Sequence, residues 1–476
     1  MRVLVVNTNT CRNPMPVMPL GACIAAEAAE RAGHEVRFAD LAFARDPAAK
    51  LARAASVFQP GVVGMSIRNI DDNNMQRPAL LCGSLPCLVE AARTACRCRV
   101  VIGGAAVGVM PEALLRFSGA DAAVLGDGEA VFPALLRAIE SGSPVEDVPG
   151  TAGIVDGAVR LNPLAFDSVS AEWLAPELPR WIRLRRYIAG MAAAPVQTRR
   201  GCPYRCVYCT YGSAEGRAYR LRPVEHAVDA VRRCRSWGVR DVEFVDNVFN
   251  SPYDYALELC GALARARPGV RLHSLELNPR FVTDELLSAM ERAGFAGIGI
   301  TAESAADAVL EGLGKDYAAA EIAAAAEAVG RHRLPCVWVW MLGGPNETRQ
   351  SVAETLRFAR RHVRGSDAAF FNVGIRIYPG TGLEPIARAQ GLLAAAPGEM
   401  LAPVFYFAPG LDPAWVAAEV QATTDSCRNF FGPRSLGLSL LPKLHRAAHF
   451  LGMRPPLWRH TRLLRRVLSC FGINHE

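Results

Sequence analysis

Two blocks of alternating apolar and amphipathic segments run along the chain, separated by a stretch in which the rhythm fails. In the first block, apolar runs at 3–6, 36–38, 62–67, 100–102 and 122–125 read as strands. Spacing of apolar residues by three and four predicts helices over 20–31, 48–55, 79–94, 111–117 and 130–139. The strands are apolar throughout rather than alternating, as in strands buried on both faces. The block therefore predicts a doubly wound, Rossmann-like parallel sheet with helices on each side. Ligands of such sheets sit beyond the carboxyl ends of the strands, near a topological switch point. Residues 141–194, rich in Pro, Gly and Trp, read as a connector with a small hairpin around 153–161. The second block has six strand-like runs, at 195–198, 242–245, 272–277, 297–301, 336–341 and 371–378. Its helices fall near 224–237, 253–265, 284–293, 318–329 and 351–362. Six βα units predict a partial (β/α)6 barrel, whose active site gathers at the carboxyl ends of its strands. The expected division is thus 1–140, a connector at 141–194, a partial barrel at 195–400, and a basic, mainly helical region at 401–476.

Charge and composition narrow the function classes. The net charge of +7 is confined to the tail. Eight of the 53 Lys/Arg and one of the 46 Asp/Glu lie from Arg434 onward, which leaves 45 of each in the first 433 residues. A neutral body carries no basic field to attract nucleic acid, and no nucleic-acid partner is expected. No apolar run approaches the roughly 18 residues of a membrane span. The N-terminus reads as a strand and not as a secretory signal, so a cytoplasmic location is expected. In the tail, Leu457, Leu464, Leu468 and Phe471 fall on one helical face among arginines. Peripheral contact with an anionic membrane is one reading of that pattern; packing of the leucines on the barrel is preferred.

Fourteen cysteines without an export signal argue against a disulfide framework and for metal or redox chemistry. Cys82/Cys87 and Cys96/Cys98 lack a second ligand pair at zinc-like spacing and read as small buried hydrophobes. The run Gly201-Cys202-Pro203-Tyr204-Arg205-Cys206-Val207-Tyr208-Cys209 differs, because it ends the first strand of the second block. A closed zinc site needs four protein ligands, and no fourth Cys or His lies nearby. Iron–sulfur clusters are held by Cys thiolates, normally four. Three on one loop imply a distant fourth ligand or an open iron.

This Cys-x-x-x-Cys-x-x-Cys run, with aromatic Tyr208 before its last cysteine, resembles the signature of the radical S-adenosylmethionine (SAM) enzymes. The resemblance covers about 195–380. It implies a [4Fe–4S] cluster on Cys202, Cys206 and Cys209, with SAM chelating the fourth iron. It also implies reductive cleavage of SAM to a 5′-deoxyadenosyl radical, fed by an electron donor such as flavodoxin or ferredoxin. Later strand ends fit the same family in order. Asp246 and Asn247 occupy the second strand end, where the family holds the SAM amine. Glu303 ends the fourth, where a polar residue meets the ribose. Gly343 and Gly344 end the fifth, beside adenine. Tyr378 ends the sixth, in a closing Tyr-Pro-Gly-Thr motif. Alone, Glu303 reads equally as a helix cap and Gly380 as a plain turn.

The first block has no Gly-x-Gly-x-x-Gly after its first strand, which disfavours NAD, and no phosphate-loop pattern. It carries Ile102-Gly103-Gly104 and Gly126-Asp127-Gly128-Glu129 on adjacent strand ends. Such glycines just upstream of a radical SAM barrel resemble the cobalamin-binding domain of one large subfamily. The resemblance implies a cobalamin site involving Asn9, Ser66, Arg68, Gly103, Gly104, Gly126, Gly128 and Glu129. The nucleotide tail would enter near Ser66, Gly103 and Gly126. No Asp-x-His-x-x-Gly occurs, and Asn9 stands where its His is expected, so no His ligand to cobalt is expected. The polar loop Asp71–Asn74 either faces cobalt or is simply solvated.

The resemblance as a whole implies a cobalamin-dependent radical SAM methyltransferase acting on an unactivated carbon of an unknown substrate, through the radical and methylcobalamin. The competing readings are a non-methylating relative that closes or contracts rings, a sensing protein without turnover, and a tRNA-modifying enzyme, the last disfavoured by the neutral body.

Overall fold

The computed structural model describes residues 1–163, 166, 173–433 and 441–460. The first sheet contains β1 (Arg2–Asn7), β2 (Glu35–Asp40), β3 (Val62–Ser66), β4 (Arg99–Gly103), β5 (Ala122–Val124), β6 (Thr151–Val155) and β7 (Ala158–Asn162). Their spatial order is β2-β1-β3-β4-β5-β6-β7. The first five are parallel, and β6 and β7 are antiparallel. The apolar runs of β1, β3 and β4 are buried almost without interruption, because helices cover both faces. The order 2-1-3-4-5 reverses direction between β1 and β3, which opens a crevice at their carboxyl ends.

Two details depart from the sequence reading. The hairpin read as part of a connector pairs with β5, so the first sheet runs on past residue 140 to Asn162. The helix expected over 79–94 starts at Leu85, with Pro86 in its first turn. The residues before it are held as a loop by Asp72, whose Oδ1 accepts from the N–H groups of Asn74 and Ala79 at 3.2 and 3.0 Å.

The second block begins with β8 (Ala194–Val196), β9 (Arg199–Arg200) and β10 (Arg220–Leu221). The strands β11 (Asp241–Phe244), β12 (Arg271–Leu277), β13 (Phe295–Glu303), β14 (Cys336–Leu342) and β15 (Ala368–Val373) follow. Three short strands, β16 (Ile375–Arg376), β17 (Phe405–Tyr406) and β18 (Phe430–Phe431), complete the set. The all-parallel sheet β18-β15-β14-β13-β12-β11-β8 is the partial barrel, with its helices outside. The sixth strand was expected as one piece over 371–378. The chain instead turns at Gly374, where a Cβ would meet Met75 Sδ of the first block at 2.3 Å. Beyond the turn, β16 leaves the barrel to pair with β17. The C-terminal region thus supplies two short strands, β17 and β18, besides the helices Pro413–Ser426 and Leu441–Phe450. The tail residues read as one helical face lie, apart from Leu457, outside the described residues. Among the described residues no helix is long and apolar enough to cross a membrane.

One apolar core cluster runs through both sheets. Trp338 and Trp340 are fully buried in it with stacked rings 6.2 Å apart.

Candidate active site between the two sheets

The cysteine loop is fixed by backbone contacts from three directions. Gly201 has φ +80°, and a Cβ there would lie 2.0 Å from the carbonyl oxygen of Ala218. Only glycine fits such a place. Cys202 N–H donates to Gly216 O at 3.0 Å, Val207 N–H to Leu313 O at 2.9 Å, and Leu383 N–H to Val207 O at 2.8 Å. Cys202 is buried, and Cys206 and Cys209 are half-buried. Burial pushes all three thiols up, Cys209 to about 12. Hydrogen bonds from the backbone of Tyr204 and Tyr211 pull Cys202 and Cys209 back, and the Lys315 ammonium pulls Cys206 back. Thiolate-stabilising groups thus face each sulfur, as metal binding requires. Among the described residues no three Cys, His, Asp or Glu side chains converge on the position of a single ion.

The acidic residue at the second strand end is bonded back to the start of the cysteine loop. Asp246 Oδ1 accepts from the N–H groups of Thr198 and Arg199 at 2.6 and 3.2 Å, and Oδ2 from the Thr198 hydroxyl at 2.6 Å. Arg199 lies 3.6 Å away, and both side chains are fully buried. Burial pushes the carboxyl up, against the pull of Arg199 and these hydrogen bonds. Through these bonds Asp246 fixes the start of the cysteine loop. Asn247 donates to Glu215 Oε2 at 2.7 Å, which also accepts from Gly201 N–H at 3.3 Å.

Glu303 ends β13 with a left-handed backbone, φ +64°, an uncommon conformation for glutamate. It is fully buried. Its Oε1 accepts from the Tyr208 hydroxyl and from Lys315 Nζ, the latter at 2.9 Å, and Lys315 also donates to Tyr208 Oη at 2.7 Å. Glu303 Oε2 is buried without a hydrogen-bond partner. Gly343 lies under the ring of Phe407, which a Cβ would meet at 2.5 Å, and Gly344 packs on Leu313 and Ile375. Both glycines therefore have a packing reason. Tyr378 donates to Asn73 Oδ1 of the first block at 2.9 Å.

Beside the cysteine loop lies a cavity of about 320 Å³ between the two sheets. From the first block Ser66, Gly103, Gly104, Gly126, Gly128 and Glu129 line it. Thr210 and Tyr211, the two residues after Cys209, line it from the barrel. A Cβ on Gly104 would come within 2.6 Å of Ile67 O, and one on Gly103 within 3.4 Å of Val124. Both glycines thus let the end of β4 pack closely on Ile67 and Val124, with their backbone in the cavity wall. Asn9 does not line it; its Oδ1 accepts from Cys11 N–H at 3.1 Å, as a turn residue does. Arg68 is exposed outside the cavity, and its charge acts on Tyr211 and Glu243 of the barrel.

Ion pairs close the interface around the cavity. Arg200 meets Glu129 at 2.6 Å and Asp127 at 3.3 Å, and Arg220 also pairs with Asp127. At the other side Arg376 Nε donates to Asp71 Oδ2 at 2.8 Å, with both groups buried. The Asp71–Asn74 loop is therefore a clamp onto the barrel at Asp71 and Asn73. Arg200, Arg220, Glu215, Lys315 and Arg376 were not singled out by the sequence reading. The charged partners of the four basic residues lie 12 to 305 positions away, and no local spacing marks them.

Residues 196–359 match the Radical SAM superfamily, and residues 13–136 match the B12 binding domain. The chain is 28% identical over 299 residues to the "Uncharacterized methyltransferase PH0819" of Pyrococcus horikoshii, covering 62% of this chain and 64% of that protein. It is 26% identical over 273 residues to the hopanoid C-3 methylase of Methylococcus capsulatus, covering 54% and 49%. It is 24% identical over 433 residues to the tryptophan 2-C-methyltransferase of Streptomyces laurentii, covering 77% and 72%. The chain thus spans about half to two-thirds of the length of the first two relatives. In fold it resembles the radical S-adenosylmethionine methyltransferase TsrM from Kitasatospora setae, with a TM-score of 0.87 at 22% identity over 98% of each chain. It also resembles the cobalamin-dependent S-adenosylmethionine radical enzyme OxsB, with a TM-score of 0.69 at 15% identity over 89% of this chain and 66% of that one.

Proposed function

We propose that this chain, a B12-binding radical SAM enzyme, is a methyltransferase that places a methyl group from SAM on a carbon of its substrate. The observation that carries this reading is the adjacency of the cysteine loop and the glycine-lined cavity. Thr210 and Tyr211 continue directly from Cys209 and form a wall of the glycine-lined cavity. A methyl group moving between SAM and a carrier needs that proximity, since orientation and approach supply much of the rate. When bound, the cluster supplies the electron that cleaves SAM and cobalamin supplies the methyl carrier; the protein contributes binding and orientation.

In this reading Cys202, Cys206 and Cys209 hold the cluster and leave one iron for SAM. Glu303 Oε2, a buried acceptor without a partner, suits a ribose hydroxyl. Ser66, Gly103, Gly104, Gly126 and Gly128 cradle the cobalamin tail. The low-potential electron comes from an external donor of the flavodoxin or ferredoxin kind. Curated methyltransferases among the relatives support methylation. Anaerobic magnesium-protoporphyrin IX monomethyl ester cyclases, 26% identical over about half of this chain, keep ring closure as the second reading.

The test is to supply reconstituted, cobalamin-loaded protein with SAM, a reductant and small molecules extracted from cells lacking the gene. Methylation predicts a product heavier by one CH₂ and S-adenosylhomocysteine in proportion to it. Formation of 5′-deoxyadenosine without S-adenosylhomocysteine would replace methylation by the ring-closing class of outcome.

A further inference from the structure

A buried ammonium beside the cysteine loop is left without a task by the reading above. Lys315 is on the segment that follows Leu313, whose carbonyl accepts the N–H of Val207 in the middle of the cysteine run. Its side chain is 6% exposed. The ammonium sits 2.9 Å from Glu303 Oε1 and 2.7 Å from Tyr208 Oη. It lies 4.9 Å from the centre of the Tyr208 ring and 5.7 Å from that of Tyr317. Burying an ammonium is costly unless it is paired, and Glu303 supplies the pairing. Burial pulls the Lys315 pKa down, but Glu303 and then Tyr208 outweigh it and hold the group charged.

The pairing is incomplete, because Glu303 keeps one oxygen out of the network, and the residue between Val207 and Cys209 is itself one of the partners. The ammonium is thus fixed against the metal-binding run by two residues whose own positions are constrained, Glu303 by its left-handed backbone and Tyr208 by the loop. Cluster potentials respond to net charge and to hydrogen bonds near the sulfurs.

We propose that Lys315 is the built-in counter-charge of the iron–sulfur cluster, raising its reduction potential, with Glu303 and Tyr208 as the positioning residues that hold it there. Reduction adds one electron from the external donor to the cluster and moves no proton. The added negative charge is stabilised by the nearby ammonium, more strongly in a buried site than in water. This inference rests on the reading of Cys202, Cys206 and Cys209 as cluster ligands.

The experiment is a redox titration of the reconstituted full chain without SAM, following the paramagnetic signal of the reduced cluster. Lys315→Met should leave at least tenfold less cluster reduced at a fixed low potential, a downward midpoint shift of about 59 mV or more for one electron. Lys315→Arg should restore most of the shift. Glu303→Gln should move the midpoint upward, because the ammonium loses its neutralising partner. A Lys315→Met protein with normal iron content and an unchanged midpoint overturns the proposal. Should Lys315→Met fail to hold iron, an unchanged midpoint in Glu303→Gln overturns it equally. A wild-type chain that takes up no cluster defeats the cofactor reading itself, which separates the two failures.

Discussion

Asp246 is a fully buried carboxylate at a strand end, hydrogen-bonded to Thr198 and Arg199, and that determines what its loss does. Asp246→Ala leaves Arg199 buried without its counter-ion. Breaking a buried pair from one side costs about 3–5 kcal/mol. Denaturant unfolding of the apo protein should show that loss, with the loop after β9 loosened as a consequence. Weakened SAM binding at unchanged stability would show instead that Asp246 meets the ligand directly. Glu347 makes a second residue-scale case. Burial pushes its carboxyl up to about 7, against the Ser351 hydroxyl and the N–H groups of Gly343 and Gly344. An acid with a raised folded pKa holds its proton more tightly in the folded state. Stability therefore falls as pH rises from the unfolded value near 4.5 through 7, and levels off above. Glu347→Gln removes that dependence. Its stability relative to wild type should rise across this window, by at most about 3 kcal/mol at 1.36 kcal/mol per unit. Urea midpoints measured at several pH values check it, and a constant difference would mean that the carboxylate titrates normally.

The cysteine loop as an element depends on Gly201 more than on any spacing of its cysteines. Gly201→Ala must place a methyl where Ala218 O now lies and hold a left-handed backbone, which alone costs about 1–2 kcal/mol. The loop should shift while the sheets stay folded. Iron content after reconstitution should drop sharply with an unaltered circular dichroism spectrum; full iron content would show that the loop relaxes without loss. Replacing Cys202, Cys206 and Cys209 together by Ala should abolish the cluster absorption outright. What was legible in the sequence follows the same division. The strands β1, β3, β4 and β14 were readable because burial on both faces writes itself as an apolar run. The cysteine triplet was readable because its ligands are neighbours in the chain. The attachment of β6 and β7 to the first sheet was not, since a hairpin's pattern does not say which edge it joins. Nor was β18, whose two residues gain strand character only from β15. Asp246 and Glu303 looked alike as acids at strand ends. Only packing shows that the first is bonded to Thr198 and Arg199 and that the second keeps a free oxygen beside Lys315.

At the scale of the whole molecule, the charge balance of the body is spent partly across the domain interface. Asp71, Asp127 and Glu129 of the first block meet Arg376, Arg220 and Arg200 of the barrel on two sides of one cavity. Because that cavity has walls from both blocks, a cofactor filling it should be held by their closure as well as by direct contact. Asp71 tests this cleanly: it does not line the cavity, yet it pairs with Arg376 in a buried, poorly screened setting. Asp71→Ala should therefore weaken cobalamin binding by about tenfold, the equivalent of 1.4 kcal/mol of clamp energy, without touching the cofactor. The double variant Asp71→Ala with Arg376→Met should regain stability, since no unpaired charge stays buried, but should not regain affinity. Equilibrium titration with hydroxocobalamin, beside denaturant unfolding of each variant, separates the two quantities. If affinity is unchanged in both variants, the first block holds the cofactor alone and the barrel merely covers it. If it falls in both while stability recovers in the second, the closed interface is itself part of the cofactor site.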